Sequence, residues 1–228
     1  MNYYTPLINM FGLIVKPKQT LKQIFPARHP LNWVIPLVLL IVTIVIASSM
    51  TSSVTETYLI NQINTTQLTE LEKLEQITQI ENSSSSLSST VILILFGLIL
   101  QVFILMSISR LIFKIKVSFT DLWLLINMLN IITIIELITA VPIILLTKNP
   151  IVVIGPSILL STFILDEFYI NLMMCISFFA IWKIALICLG FTVIYGVDKL
   201  KTYKTIFGLW FAFVLFLAVF MTRNNIQL

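Results

Sequence analysis

The sequence predicts an all-α, polytopic membrane protein: a bundle of five transmembrane helices with amphipathic helices on the cytoplasmic side at the N-terminus. Composition is the first observation, because 58% of the 228 residues are hydrophobic, only 11% are charged and the mean hydropathy is +1.03. Soluble proteins are about 45–50% apolar and about 25% charged, so this chain belongs in a membrane. The other two observations are five long apolar stretches and an uneven distribution of lysine and arginine between the segments that join them.

Residues 1–32 precede the first apolar stretch and are predicted to form one or two short amphipathic helices. Thr5-Pro6 combines a capping residue with a first-turn proline, and Lys16-Pro17 breaks the helix. After this break, apolar residues recur at helical spacing while lysines cover the other side. Two arrangements remain open. The helices lie in the membrane interface with lysines towards anionic headgroups, or they pack on the cytoplasmic ends of the spans.

The transmembrane domain is predicted over residues 33–222. A helix needs about 20 apolar residues to cross the hydrocarbon core; four stretches are long enough or nearly so, and the fifth is shorter but strongly apolar. A signal peptide cleaved near Ala47 is the alternative for the first stretch, but residues 1–32 are longer than a usual charged leader. The predicted spans are therefore about 33–50, 89–113, 121–147, 169–195 and 206–222.

Basic residues predict the orientation of these spans. Five crossings place ten lysines and arginines on one side and three on the other, with Lys183 inside a span. Because cytoplasmic loops carry the excess of positive charge, the N-terminus is predicted to be cytoplasmic and the tail 223–228 to lie outside. This topology signal accounts for the net charge of +4, so nucleic acid is not an expected partner. The predicted basic cytoplasmic surface comprises Lys16, Lys18, Lys22, Lys114, Lys116, Lys199, Lys201 and Lys204, together with Arg28 and Arg110.

Two outer loops are large enough to contain structure. The first, residues 51–88, includes a short predicted helix over Leu68 to Ile80, where leucines and isoleucines recur every third position among glutamates. The second covers residues 148–167 and is apolar, but its prolines and glycine interrupt any helix, and a sixth span would reverse the side of the last basic loop. We predict an outer loop containing an interfacial or re-entrant piece.

Two ionisable residues lie deep inside predicted spans, Glu136 in the third and Lys183 in the fourth. A charge near the bilayer centre costs at least about 2.5–3.5 kcal/mol, so each residue requires a structural or functional reason. At roughly 1.5 Å per helical residue their depths differ by only about 5 Å, and the side chains can meet. Three hypotheses follow: a proton or ion relay, a buried pair that fixes helix packing, or separate residues, with Lys183 snorkelling and Glu136 neutral.

Polar residues also occupy every third position of the third span. Because a spacing of three drifts by about 60° per step, such a row winds round the helix and does not line one face. It predicts hydrogen bonds to neighbouring helices, each worth on average under about 1 kcal/mol, and Pro142 is predicted to kink the helix beyond the row. The row consists of Asn127, Asn130, Thr133, Glu136 and Thr139.

The sequence offers no set of residues for catalysis. His29 is the single histidine, Asp166-Glu167 has no second acidic cluster to complete a cation site, and the two cysteines are too far apart along one helix to form a disulfide. Motifs for a nucleophilic serine, a zinc protease or a phosphate-binding loop are absent. We therefore predict a protein that is not an enzyme, with no catalytic, cofactor-binding or metal-binding residues.

Three stretches resemble the Yip family (Ypt/Rab-interacting membrane proteins), in its prokaryotic branch. They are MFGLIVKPKQTLKQIF (residues 10–25), SRLIFKIKVSFTDLW (109–123) and IWKIALICLGFTVIYGVDKLKTYK (181–204), and the similarity extends over about residues 8–220. The resemblance implies a five-span bundle with a cytoplasmic N-terminus and no catalytic residues. Eukaryotic members are implicated in Rab GTPase binding, but their Asp-Leu-Tyr-Gly-Pro motif does not occur before Trp33.

Two functions from different classes are therefore expected, and a role as an accessory subunit of a larger membrane complex remains open as a third. The first is a non-enzymatic scaffold or adaptor that organises the membrane or binds a protein partner, with the lipid bilayer and a possible homo-oligomer as its other contacts. The alternative is a small transporter or channel that uses Glu136 and Lys183, although five spans do not divide into equal halves. The resemblance also favours a bacterial plasma membrane as the location.

Overall fold

The protein is described here by a computed structural model, which covers residues 5–27, 30–65, 69–83, 87–157 and 166–223. Within these ranges the regular structure is helical and no strand is present. His29 and Arg28 lie outside the described residues. The helices are α1 (Thr5–Val15), α2 (Pro17–Ala27), α3 (Leu31–Thr65), α4 (Glu70–Ser83), α5 (Leu87–Leu111), α6 (Phe119–Thr147), α7 (Glu167–Met174), α8 (Phe178–Tyr195) and α9 (Lys199–Arg223).

Five of the helices, α3, α5, α6, α8 and α9, are long and apolar enough to cross a membrane. This confirms the predicted class of a polytopic helical membrane protein. The bounds of α5 and α6 fall within two residues of the predicted spans 89–113 and 121–147. The last helix begins earlier than residue 206, because its first turns carry lysines that hydropathy assigns to a loop.

The first long helix, α3, continues well beyond the predicted span 33–50. Its 35 residues extend to Thr65 and therefore include the first part of the predicted outer loop. At roughly 1.5 Å per residue the helix is about 50 Å long, against a hydrocarbon core of about 30 Å. Hydroxyl groups beyond the apolar stretch bond back to the helix: Thr51 donates to the Ala47 carbonyl at 2.9 Å and Thr55 to the Thr51 carbonyl at 3.1 Å. Loss of apolar character thus ends the membrane stretch without ending the helix.

The prediction of one continuous span over 169–195 is wrong. The structure divides this stretch into α7 and α8, with a break at residues 175–177. Ser177 adopts an extended backbone conformation and its hydroxyl accepts the Phe179 N–H at 3.1 Å, which caps α8. The Phe178 N–H donates to the Ile154 carbonyl at 3.0 Å, and a Cβ at Gly155 would collide with the Ile176 carbonyl oxygen. Hydropathy misses the break because the residues around Ser177 are uniformly apolar.

Helix α6 lies at the centre of the bundle. It packs against α1, α3, α5 and α8, and Leu122, Leu125 and Leu129 on it are completely buried. Helix α9 packs on α7 and α8, where the Asn171 amide donates to the Thr222 hydroxyl at 3.0 Å. Large apolar side chains of α3, α5 and α9 are exposed, as expected for surfaces that contact lipid.

The two N-terminal helices pack on the bundle. Helix α1 contacts α3 and α6, while α2 contacts α8, and Leu13, Leu21 and Ile24 are buried between them. Contact with the bundle agrees with the second of the two arrangements left open above, and the position of these helices relative to the membrane stays a prediction. The helix break falls at Lys16-Pro17 as predicted, and a Cβ at Gly12 would lie 2.6 Å from the Thr20 hydroxyl oxygen. A glycine at residue 12 therefore allows the two helices to approach closely.

The predicted loop helix over 68–80 corresponds to α4, although Leu68 lies outside the described residues. A capping box begins this helix. The Glu72 carboxylate accepts the Thr69 N–H at 2.9 Å and the Thr69 hydroxyl at 2.7 Å, and these bonds lower the pKa of Glu72. In the second outer loop, residues 148–157 are non-helical up to a short turn, and residues 158–165 are not described. The choice between an interfacial and a re-entrant piece therefore stays a prediction.

Candidate functional site

The predicted intramembrane residues meet at the interface of α6 and α8. Lys183 lies on α8, and its Nζ donates to Asn130 Oδ1 at 3.1 Å and to Thr133 Oγ1 at 3.2 Å. Both acceptors are neutral side chains of α6. The ammonium group therefore holds the two helices together through hydrogen bonds to an amide and a hydroxyl, and not through a contact with a carboxylate.

Glu136 lies one turn further along α6 and has a different partner. Its Oε1 accepts the Ser177 hydroxyl at 2.6 Å, and Ser177 Oγ in turn accepts the Phe179 N–H. The carboxylate is therefore placed beside the first turn of α8. Negative charge is favourable there, because the unpaired N–H groups give a helix N-terminus a partial positive charge.

Glu136 and Lys183 thus belong to one network without forming a direct hydrogen bond. Glu136 is close enough for electrostatic attraction to Lys183, but each side chain bonds to other groups. Asn130, Thr133 and Glu136 all reach α8 or its cap, because the long Lys183 side chain meets both Asn130 and Thr133, while Glu136 meets Ser177 at the N-cap. We call these four residues, together with Ser177, the α6–α8 polar network.

The remaining members of the polar row bond within their own helix. The Asn127 amide donates to the Trp123 carbonyl at 2.8 Å, and the Thr139 hydroxyl donates to the Ile135 carbonyl at 2.7 Å. Asn127 Oδ1 and Asn130 Nδ2 are buried and have no hydrogen-bond partner among the described residues. Buried polar atoms are usually paired, so these two remain available to a further polar group.

Sequence reasoning did not identify two residues that position this network. Ser177 caps α8 and binds Glu136. The sequence feature that could have indicated this role is an isolated serine immediately before two aromatic residues in an apolar stretch. Gly190 is buried at the same interface, where an added Cβ would lie 2.9 Å from Leu125 Cδ2. Small residues allow transmembrane helices to pack closely, and Gly190 has this role between α6 and α8.

A second candidate surface is formed by α1 and α2, which we call the arm. Besides its buried side, α1 has an exposed apolar stripe of Ile8, Phe11 and Val15, which are 63%, 62% and 74% exposed. These residues line one side of a groove of about 330 Å³ whose other side is α2. Lys16 lines the same groove and Lys18 and Lys22 on α2 are exposed. The groove lining comprises Ile8, Phe11, Gly12, Val15, Lys16, Gln19, Thr20 and Gln23.

The other predicted basic residues lie at chain connections. Lys114 and Lys116 are exposed between α5 and α6, and Lys199, Lys201 and Lys204 are exposed in the first turns of α9. Lys201 Nζ lies 6.0 Å from the centroid of the Phe113 ring, so these two groups are neighbours at one end of the bundle. Among the described residues, no three histidines, cysteines, aspartates or glutamates form a cluster that could hold a metal.

Comparison with known proteins gives one family. The model of the Yip1 domain matches residues 11–221, which includes the end of α1, all of α2 and nearly all of the predicted transmembrane domain 33–222. No curated protein and no solved structure matches significantly. The match covers far more than half of the 228 residues.

Proposed function

Because the chain belongs to the Yip1 domain family of membrane proteins, we propose that it is a non-enzymatic scaffold that binds a protein partner through the arm. We place the arm on the cytoplasmic side of a bacterial plasma membrane, in accordance with the distribution of basic residues. One observation supports the proposal most directly: α1 is apolar on two sides, and only one of them is buried in the bundle.

The exposed stripe suggests the type of partner. A stripe with spacings of three and four residues beside a groove is the geometry that receives the apolar side of an amphipathic helix. Lys16 in the groove lining and the exposed Lys18 and Lys22 on α2 favour acidic residues on the polar side of that helix. A second copy of the chain is a less suitable occupant, because the arm itself carries no acidic side chain in the described part.

The arm proposal predicts loss of a partner on polar substitution of the stripe. The variant Ile8→Ser/Phe11→Ser/Val15→Ser should fold, since the three side chains are exposed, but should lose at least about 90% of the co-purified partner. The measurement is a pull-down in mild detergent with quantitative mass spectrometry. A matched control is Leu71→Ser/Leu74→Ser on α4, which changes exposed apolar residues elsewhere. Equal partner recovery from the stripe variant and the control would contradict the proposal.

Transport is a second candidate, favoured by buried polar atoms of Asn127 and Asn130 on α6, of which Asn130 also binds Lys183. A pathway for protons would require Glu136 to gain and lose a proton. Transport predicts that purified protein in liposomes carries a proton flux and that Glu136→Gln reduces this flux at least about tenfold. The scaffold proposal predicts that wild-type and Glu136→Gln liposomes both show only the leak of empty liposomes, measured with an entrapped pH-sensitive dye.

A further inference from the structure

A basic cavity lies at the connection between α5 and α6, away from the arm groove. It has a volume of about 440 Å³ and is lined by Arg110, Lys114, Ile115 and Lys116. All three cations are exposed, and no carboxylate belongs to the lining. Three like charges around one concavity repel each other, so an anion placed among them would lower the electrostatic energy.

Local structure holds these side chains together. The buried residues Phe113 and Val117 anchor the connection on both sides, so Lys114 and Lys116 alternate with them and point outward. The Ile115 N–H donates to the Ser109 carbonyl at 3.0 Å, and the Phe113 N–H donates to the Ile108 carbonyl at 3.2 Å. These bonds fold the connection back on the last turn of α5, which carries Arg110.

The backbone at Lys114 adds a second observation. Its φ angle is 57°, in the left-handed region where residues other than glycine are uncommon. Glycine would adopt this conformation more easily and would end α5 equally well. Residue 114 is nevertheless a lysine: its backbone is strained in this conformation, and its positive charge lines the cavity.

We propose that the basic cavity binds the phosphate of an anionic phospholipid. Arginine and lysine make strong charge-assisted hydrogen bonds with phosphate oxygens, and arginine can donate two parallel bonds. The neighbouring surface of α5 is apolar and can contact the acyl chains of the lipid. Leu111, immediately after Arg110, is 78% exposed, and Phe103 and Ile104 are exposed two turns earlier. Phosphate and acyl chains of one lipid thus have adjoining binding surfaces. The cavity distinguishes this site from the topology signal, because the excess of positive charge in cytoplasmic loops does not require a concave binding surface.

The test compares lipid binding by full-length protein in detergent micelles. Native mass spectrometry and thermal unfolding are recorded with phosphatidylglycerol, with phosphatidylcholine and with inorganic phosphate. Wild-type protein should retain phosphatidylglycerol at least about five times more than phosphatidylcholine and should unfold at a higher temperature with it. The cavity variant Arg110→Gln/Lys114→Gln/Lys116→Gln should lose both effects.

A matched control removes three positive charges from the arm: Lys16→Gln/Lys18→Gln/Lys22→Gln. Retention of phosphatidylglycerol by this control, but not by the cavity variant, supports a specific site. Equal loss of phosphatidylglycerol from both variants would mean that the lipid is held by general electrostatic attraction, which would overturn the proposal. Thermal stabilisation by inorganic phosphate as strong as that by the lipid would also overturn it, because the site would then bind a free anion. Partner binding at the arm is measured separately and does not affect any of these outcomes.

Discussion

Substitution of Gly190 by leucine is expected to destabilise the bundle by about 3 kcal/mol or more, because the leucine has no space between α6 and α8. Even a single Cβ at residue 190 would lie 2.9 Å from Leu125 Cδ2, and Leu125 is completely buried on the central helix. The added side chain must therefore separate the helices, which would also lengthen the hydrogen bonds from Lys183 to Asn130 and Thr133. The measurement is unfolding of the purified protein by SDS in mixed micelles.

Gly208 provides a matched control for this prediction. It lies on α9, it is exposed, and an added Cβ would have no neighbour within 4 Å. Gly208→Leu should therefore not lower the free energy of unfolding, since leucine also favours a helix more than glycine does. Similar losses in the two variants would show that contact between α6 and α8 does not determine the result.

Substitution of Lys183 by alanine is expected to lower the free energy of unfolding by about 2 kcal/mol or more. The variant loses two hydrogen bonds between α8 and α6, loses the packing of the lysine stem and leaves the buried amide of Asn130 with fewer partners. Lys183→Met should have a smaller effect, about 1 kcal/mol, because methionine keeps most of the stem and hydrogen bonds between membrane helices average about 0.6 kcal/mol each.

Double-mutant cycles then separate the hypotheses for Lys183. The hydrogen bond to Thr133 predicts a coupling energy of about 0.6 kcal/mol between Lys183→Met and Thr133→Val. Coupling between Lys183→Met and Glu136→Gln should be smaller, because the carboxylate bonds to Ser177 and not to the ammonium group. A larger coupling with Glu136 than with Thr133 would instead support the buried ion pair.

The polar groups discussed above lie in two kinds of environment. The α6–α8 polar network joins two helices inside the bundle, whereas the arm and the basic cavity present exposed groups. The proposed scaffold function needs a stable membrane domain and accessible binding surfaces. The proposed partner helix and the proposed phospholipid occupy different surfaces, so both can bind to one molecule.

Composition and hydropathy were sufficient to predict five membrane-crossing helices, and the proline of Lys16-Pro17 was sufficient to predict the break between α1 and α2. The family was indicated separately, by the resemblance of three stretches of the sequence. Apolar length is a local property, because each transmembrane helix satisfies its own backbone hydrogen bonds within the lipid. Sequence also indicated that Glu136 and Lys183 lie at similar depths. The sequence could not assign the hydrogen-bond partners of these two residues, because the partners depend on which neighbouring helix each side chain faces.

Tertiary structure decided the features that depend on contacts between distant residues. It divided the predicted fourth span at Ser177, whose hydroxyl needs both the α8 backbone and Glu136 on another helix. It placed the lysine beside Asn130 and Thr133, and it left one side of α1 exposed while burying the other. The physical reason is that apolar periodicity specifies which residues avoid water, whereas helix–helix and helix–lipid surfaces are equally apolar. Only side-chain packing distinguishes them.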